Sequence, residues 1–136
     1  MTETGFVPKA RYMMRALELA AQAAAMGEVP VGAVVVQKST GRIIGEGYNR
    51  READRSPLAH AEIMAIDAAS RTLGGWRLLD SALYVTLEPC PMCAGAILHA
   101  RLEQVVYGTA DPKGGAVDSV EQLFTLPYNW TPEVHA

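Results

Sequence analysis

The two cysteines of this 136-residue chain lie three positions apart, in the stretch Leu-Glu-Pro-Cys-Pro-Met-Cys-Ala-Gly at residues 87–95. Because Pro91 suits the first position of a helix, the pattern predicts that Cys90 caps a helix and that Cys93 lies one turn along it. Both sulfur atoms can then face one point. A helix N-terminus favours thiolates, which suits metal binding and redox exchange alike. The pair therefore predicts a metal site or a redox site.

A second helix start distinguishes these two possibilities. The sequence Ala-His-Ala-Glu at residues 59–62 opens another predicted helix, just as the cysteines open theirs. His60 offers an imidazole nitrogen, and with two thiolates it gives the Cys₂His set that zinc uses when one coordination position is left for water. The three residues therefore predict a catalytic zinc site.

The remaining histidines are not expected to complete a closed, structural zinc site. His99 follows Cys90 by nine residues, two turns beyond the helix start, so its side chain should point away from a metal at that start. His135 is the penultimate residue, where chain ends usually fray. The fourth coordination position is thus expected to stay open.

Glu62 is the predicted proton carrier. It lies two residues after His60, about 200° around a helix, so the two side chains cannot easily bind one metal ion together. A carboxylate beside an activated water can take a proton from the water and return it to a leaving group. Alone, Glu62 would be an ordinary first-turn acid stabilised by the helix dipole. Beside His60 and the cysteines, it is interpreted as the general base and acid.

Strands and helices alternate along the chain and must position these residues. Apolar runs predict strands at 29–36, 42–48, 82–87 and 103–107. Helical spacing predicts helices at 8–26 and 59–73, a short helix after Cys93, and one more short helix at 117–123. Residues 108–115 are predicted to form a loop. The alternation indicates an α/β protein with helices on both faces of one sheet.

Two glycines in the second predicted strand are unusual for a strand interior. Gly45 and Gly47 suggest a bulge or another group that approaches the backbone closely. Asn49 comes at the end of this strand.

Composition predicts one soluble domain across residues 1–136. The chain is 49% hydrophobic and 20% charged, with a formal net charge of −3. No leader pattern or membrane-spanning run is expected, and a close pair of cysteines suits a reducing compartment, so we expect a cytoplasmic protein that does not contact a membrane. The acidic balance gives no basic footprint for nucleic acid.

The motif His60-Ala61-Glu62, followed by Pro89-Cys90-Pro91-Met92-Cys93, resembles the signature of the zinc-dependent nucleoside and nucleobase deaminases. Longer stretches, from about residue 11 to residue 120, are similar to bacterial tRNA adenosine deaminases, among them GEVPVGAVVV, GEGYNR, AHAEIMAI, LYVTLEPCPMCAGAI and VVYGTADPKGGA. The resemblance implies a three-layer α/β/α cytidine-deaminase-like fold with a central mixed sheet. It also implies a homodimer that deaminates the wobble adenosine of a tRNA anticodon stem-loop to inosine.

Carried over to this chain, the resemblance assigns one zinc ion per chain to His60, Cys90 and Cys93. The zinc-bound water would attack C6 of adenine, and Glu62 would move the proton.

The resemblance also implies four substrate contacts. Asn49 would hydrogen-bond the flipped nucleoside, the backbone at Ala61 would lie against the base, and Asp111 and Lys113 would lie near the neighbouring nucleotides. From local sequence alone, Asn49 is equally a plain turn residue, and Asp111 and Lys113 fit a solvated loop.

Two departures from the family pattern bear on substrate binding. Members usually read Asp-Pro-Thr where this chain has Ser56-Pro57-Leu58, which removes one polar group near the pocket. Members also continue past the equivalent of Val134 through a final strand into a long basic helix. We expect this C-terminal helix to be absent, which would weaken tRNA binding and leave the zinc chemistry unchanged.

Three other functions are consistent with parts of the pattern. The same zinc and Glu62 could deaminate a free base or nucleoside of the cytosine or guanine type. A non-catalytic RNA-binding or assembly subunit would have no need of Glu62. A thioredoxin-like oxidoreductase would have redox-active thiols and no zinc.

Overall fold

The computed structural model describes residues 5–136 of the chain and contains one five-stranded sheet. Its helices are α1 (Ala10–Ala25), α2 (Ala61–Leu73) and α3 (Pro91–Ala100), and its strands are β1 (Gly32–Gln37), β2 (Arg42–Tyr48), β3 (Ser81–Leu87), β4 (Gln104–Thr109) and β5 (Glu133–His135). The strand order is β2-β1-β3-β4-β5. Strand β1 is antiparallel to both β2 and β3, whereas β3, β4 and β5 are mutually parallel. The sheet is therefore mixed, as predicted.

Helices cover both faces of this sheet. Successive side chains of a strand point to opposite faces, so Val34 of β1 packs with Tyr12 and Leu19 of α1. Its neighbour Val35 belongs to the other core, between the sheet and the helices α2 and α3, which includes Ala65. The predicted three-layer α/β/α arrangement is confirmed.

Helix α2 packs directly on β2 because β2 has glycines where the two elements meet. A Cβ atom at Gly45 would lie 2.6 Å from the backbone nitrogen of Ala69, and one at Gly47 would lie 2.7 Å from that of Ala65. Any larger residue would push the helix away from the sheet. The expectation of a close approach at these glycines is confirmed, and the start of α2 is thereby held beside the end of β2.

The first strand begins later than predicted. Residues 29–36 were expected to be extended, whereas β1 spans Gly32–Gln37. Pro30 has no N–H to donate to a neighbouring strand, and the N–H of Val31 bonds the carbonyl of Val29 at 2.9 Å. The valines before β1 therefore form a turn rather than a strand.

The short helix predicted at 117–123 is wrong. This segment forms turns, followed by a 3₁₀ turn at Leu123–Thr125. The N–H groups of Val117, Asp118 and Ser119 all bond the carboxylate of Glu88. The chain thus wraps around an acceptor from another element and does not form a helix.

The end of the chain is paired, contrary to the expected fraying of His135. Strand β5 lies beside β4, with Val106 paired to His135. The His135 imidazole Nε2 is 2.9 Å from Oε1 of Gln104.

Within residues 5–136, no helix is long and apolar enough to cross a membrane.

Candidate active site

Three strands deliver the predicted site residues to one edge of the sheet. Because β2 and β3 are both antiparallel to β1, they point the same way, and β4 is parallel to β3. Asn49 follows β2, Cys90 follows β3 by three residues, and Asp111 follows β4 by two. His60 caps α2, which begins at this edge, where Ala61 lies against Gly47 near the end of β2.

His60, Cys90 and Cys93 converge as the sequence predicts. Nδ1 of His60 lies 3.6 Å from Sγ of Cys90 and 3.5 Å from Sγ of Cys93, and all three ligand atoms lie within 4.8 Å of one another. A tetrahedral zinc ion with bonds of about 2.05 Å to nitrogen and 2.3 Å to sulfur needs a nitrogen–sulfur separation of about 3.5 Å. The donor set and its spacing therefore fit zinc, with Nδ1 as the imidazole ligand atom.

The two helix starts position these ligands. His60 and Cys90 are the N-cap residues of α2 and α3, both with extended backbone, and Pro91 is the first residue of α3. Neither cap side chain forms the usual capping hydrogen bond, and both contribute to the group of three ligand atoms. The predicted cap at Cys90 is confirmed.

The pKa values of the two thiols shift in opposite directions. The Cys93 thiol and the Cys93 backbone N–H donate hydrogen bonds to the Cys90 sulfur and, with the charge of His60, lower the pKa of Cys90 to about 5, against the opposing effect of burial. The same thiol–thiol hydrogen bond and burial raise the pKa of Cys93. A helix N-terminus and a nearby imidazole thus favour thiolate character at Cys90, as metal binding requires.

Glu62 is a buried acid beside this group, only 4% exposed. Burial raises its pKa to about 7, partly offset by hydrogen bonds from its own backbone and from Cys93. A carboxyl group with such a pKa can both accept and release a proton near neutral pH. Its position and its acidity suit a general acid and base.

A pocket of about 130 Å³ opens over these residues and is lined by His60, Glu62 and Cys90. Asn49 and Ala61 line the same pocket. Asn49 is 5% exposed, and its Oδ1 has no hydrogen-bond partner among the described residues. Because buried polar atoms are normally satisfied, this oxygen is available to a bound molecule.

Of the two predicted substrate contacts in the loop, Asp111 lies at the pocket and Lys113 does not. Asp111 lines the pocket, and its Oδ1 accepts the N–H groups of Lys113 and Gly114 at 3.2 and 3.1 Å. Lys113 is exposed and does not line the pocket. His99 is also exposed, on α3, as expected.

Sequence reasoning missed Glu88, which holds the loop behind Asp111. Its carboxylate is 2% exposed and accepts hydrogen bonds from four backbone N–H groups and one hydroxyl, in residues 111 and 117–119. Burial alone would raise its pKa, but these hydrogen bonds prevail and lower the pKa to about 2. An acid directly between a strand and the Pro-Cys motif was the available sequence signal.

Residues 8–109 match the family described as the cytidine and deoxycytidylate deaminase zinc-binding region. The match includes all three zinc-ligand candidates and Glu62. Fold and site together therefore place this chain in the family of zinc-binding deaminases.

Curated relatives narrow the class. The chain is 50% identical over 112 residues to the tRNA-specific adenosine deaminase of Bacillus subtilis (strain 168), and 55% identical over 113 residues to that of Haemophilus influenzae. These matches span 82% of this chain in both cases, and 68% and 65% of the two relatives, so the chain covers about two thirds of their length. Within the family, the chain groups with the tRNA-specific adenosine deaminases.

One solved structure supports this grouping, and a second is a deaminase of a free base. One from a study of A-to-I editing by tRNA:A34 deaminases has a TM-score of 0.89 and 44% identity, over 93% of this chain and 91% of that one. The guanine deaminase of Bacillus subtilis has a TM-score of 0.73 and 38% identity, over 88% and 74%.

Proposed function

We propose that this chain catalyses the zinc-dependent hydrolytic deamination of adenosine to inosine at the wobble position of a tRNA anticodon. The observation that carries the proposal is the convergence of three zinc-type ligands on one point with a buried acid beside them. The choice of substrate is supported by the tRNA-specific relatives and by the tRNA:A34 deaminase structure.

In this proposal His60, Cys90 and Cys93 hold one zinc ion per chain. Zinc, when bound, acts as a Lewis acid that lowers the pKa of water to near neutrality. A zinc ion held by these three residues would have a coordination position left for that water. The proposed stoichiometry follows from the single ligand group found among the described residues.

Glu62 moves the protons of the proposed reaction. Its carboxylate takes a proton from the water as the water oxygen forms a bond to C6 of adenine. The carboxyl group then passes a proton to the exocyclic nitrogen, the C6–N bond breaks, and ammonia leaves. Adenosine and water thus give inosine and ammonia. The raised pKa of Glu62 supports both halves of this exchange.

The proposed substrate contacts surround the pocket. Asn49 Oδ1, buried and without a protein partner among the described residues, would accept a hydrogen bond from the nucleoside. Ala61 is fully buried at the pocket wall, where its backbone would lie against the base. Asp111 and Lys113 would approach the neighbouring nucleotides, Asp111 from the pocket wall and Lys113 from the exposed side of the loop.

We further propose that residues 1–136 act as a single deaminase domain, that the chain works as a homodimer, and that it is cytoplasmic. One continuous sheet supports the single domain. The family resemblance supports the homodimer. A tRNA substrate and two free cysteines support a reducing compartment.

The likeness to a guanine deaminase gives a second candidate, deamination of a free base. The deciding experiment follows inosine formation in an anticodon stem-loop with adenosine at the wobble position, alongside ammonia release from free adenosine, guanine and cytosine. The proposal expects turnover of the stem-loop and at least tenfold lower efficiency on free compounds. Turnover of guanine or cytosine alone would contradict it.

A further inference from the structure

Arg51 is the cation that lines the pocket, and the proposed chemistry does not use it. The charged side chains around it in the pocket lining are acidic, namely Glu62, Glu88 and Asp111. Among the described residues, Arg51 has no side-chain hydrogen bond or ion pair. An arginine that lines a pocket and has no side-chain partner among the described residues is available to an anionic group of a ligand.

None of the acids that line the pocket forms an ion pair with Arg51 within the described residues. The Glu88 carboxylate already accepts five hydrogen bonds from the loop that it anchors. Asp111 Oδ1 is taken by two backbone N–H groups. Glu62 is buried, only 4% exposed, and has no ion pair with Arg51. Glu52, next to Arg51 in sequence, is exposed to solvent.

Hydrogen bonds hold the backbone of the segment that carries Arg51 in place. The buried Glu28 carboxylate accepts the N–H groups of Glu52 and Ala53 at 3.1 and 2.8 Å. The carbonyl of Arg51 accepts the N–H of Ser56 at 3.1 Å. These bonds fix the backbone on the C-terminal side of Arg51, so that less ordering is needed when a ligand binds.

The arginines on either side have different surroundings. Arg50 is bound to Asp54 at 3.0 Å and donates to the Tyr48 hydroxyl. Arg55 is exposed, lacks a side-chain partner among the described residues and does not line the pocket. Of the three arginines in residues 50–55, only Arg51 both lines the pocket and lacks a side-chain partner among residues 5–136.

We infer that Arg51 binds the phosphate next to the nucleoside in the pocket and thereby makes the site selective for a nucleotide or a nucleic-acid strand over a free nucleoside. Asn49 Oδ1, two residues earlier on the same segment, is the unsatisfied atom that would face the nucleoside itself. This inference rests on the proposed function, because it takes the pocket to hold a nucleoside. The phosphate could be a phosphodiester of RNA or the free phosphate of a mononucleotide.

The test compares Arg51→Ala with Arg51→Lys and with Arg55→Ala, a matched loss of one unpaired arginine from the same segment. Binding of a labelled anticodon stem-loop is followed by fluorescence anisotropy from 50 to 300 mM salt. We expect Arg51→Ala to raise Kd about tenfold, as for loss of one charge-assisted hydrogen bond. It should also reduce the slope of log K against log salt by about 0.7, the value for one phosphate on a single strand.

The controls should separate charge from geometry. Arg51→Lys should keep the salt slope and lose part of the affinity, since lysine keeps the charge and loses the planar fork. Arg55→Ala should change Kd by less than about twofold, as expected for one exposed charge that does not line the pocket. If Arg51→Ala and Arg55→Ala behave alike in Kd and salt slope, or if the wild type does not bind the stem-loop, the inference is overturned.

Kinetics with the stem-loop, adenosine 5′-monophosphate and adenosine identify the source of the phosphate. A raised KM for the stem-loop alone assigns Arg51 to a phosphodiester, and a raised KM for the monophosphate assigns it to a terminal phosphate. An equal loss on adenosine, which has no phosphate, would overturn the inference. A wild type that binds the stem-loop without forming inosine refutes the proposed function, whereas equal behaviour of the two alanine variants refutes only the role of Arg51.

Discussion

Two buried glutamates lie beside the metal-ligand candidates, and their pKa values shift in opposite directions. Glu62 is 4% exposed and Glu88 is 2% exposed. Burial raises the pKa of Glu62 to about 7, with few hydrogen bonds to oppose it. Glu88 is buried as deeply, but five donors surround it and its pKa falls to about 2. Burial therefore dominates the pKa of Glu62, whereas the hydrogen-bond donors around Glu88 outweigh the effect of burial there.

The difference indicates two kinds of work. A carboxyl group that titrates near neutral pH can exchange protons with a substrate. A carboxylate held ionised by backbone N–H groups organises the chain that donates them, as Glu88 does for the loop at residues 111–119. Glu62 is thus suited to proton transfer, whereas Glu88 stabilises the loop that forms part of the pocket wall.

Of the substitutions near the two glutamates, replacing the metal-ligand candidate Cys90 with alanine is expected to have the largest effect on activity. Cys90 lies two residues after Glu88 in the sequence. Cys90→Ala should lose zinc, and with it all measurable turnover, because two protein ligands hold the ion poorly. The melting temperature should also fall, since metal binding stabilises the folded state. Metal analysis and calorimetry of the variant, compared with chelator-treated wild type, check this. One zinc ion retained by Cys90→Ala would show that the ligand set is wrong.

Glu88→Gln tests the structural half of the comparison. The amide keeps the shape of the carboxylate but turns one acceptor oxygen into a donor among N–H groups. The free energy of unfolding should fall by about 3 kcal/mol, as for a lost set of hydrogen bonds to a charged group. Zinc content and kcat should change little, while KM rises as the Asp111 side of the pocket loosens. Denaturant unfolding and steady-state kinetics measure these quantities; a large fall in kcat at unchanged KM would assign Glu88 to the chemistry.

Gly115→Ala should reproduce the Glu88→Gln phenotype more weakly. A Cβ atom at Gly115 would overlap the Glu88 carboxylate, so the loop must shift, at about 1 to 2 kcal/mol. Gly95→Ala is the matched control, since a Cβ there meets nothing within 4 Å. Within helix α3, that change should stabilise the protein by about 0.5 to 1 kcal/mol. Chemical denaturation of both variants checks the pair, and equal effects would separate Gly115 from the Glu88 network.

The sequence was informative wherever function depends on local pattern. Helix starts at His60 and Cys90 follow from capping and proline preferences, and the convergence of their side chains follows from metal-ligand chemistry. Four strands and three helices were predicted because their apolar spacing is regular. Glu62 was predicted because an acid beside a zinc-ligand pattern has few other uses.

Long-range hydrogen bonding lies beyond such patterns. Glu88 lies 29 to 31 residues from the loop that it binds at Val117, Asp118 and Ser119, and no local signal pairs them. The helix predicted at 117–123 was wrong for the same reason. Strand β5 forms only because it pairs with β4, which is distant in sequence. Likewise, the Glu28 carboxylate accepts hydrogen bonds from the backbone N–H groups of Glu52 and Ala53, 24 and 25 residues away. Carboxylates that accept hydrogen bonds from backbone N–H groups far away in the sequence can be identified only from the three-dimensional structure.

The most direct test of the central claim is to measure zinc content and inosine formation together in Glu62→Gln, with wild type beside it. The variant should keep one zinc ion per chain and full stability while kcat on the anticodon stem-loop falls by about 10² to 10⁴, the usual contribution of a general acid–base residue. Zinc retained together with activity within about tenfold of wild type would remove Glu62 from the reaction and contradict the account.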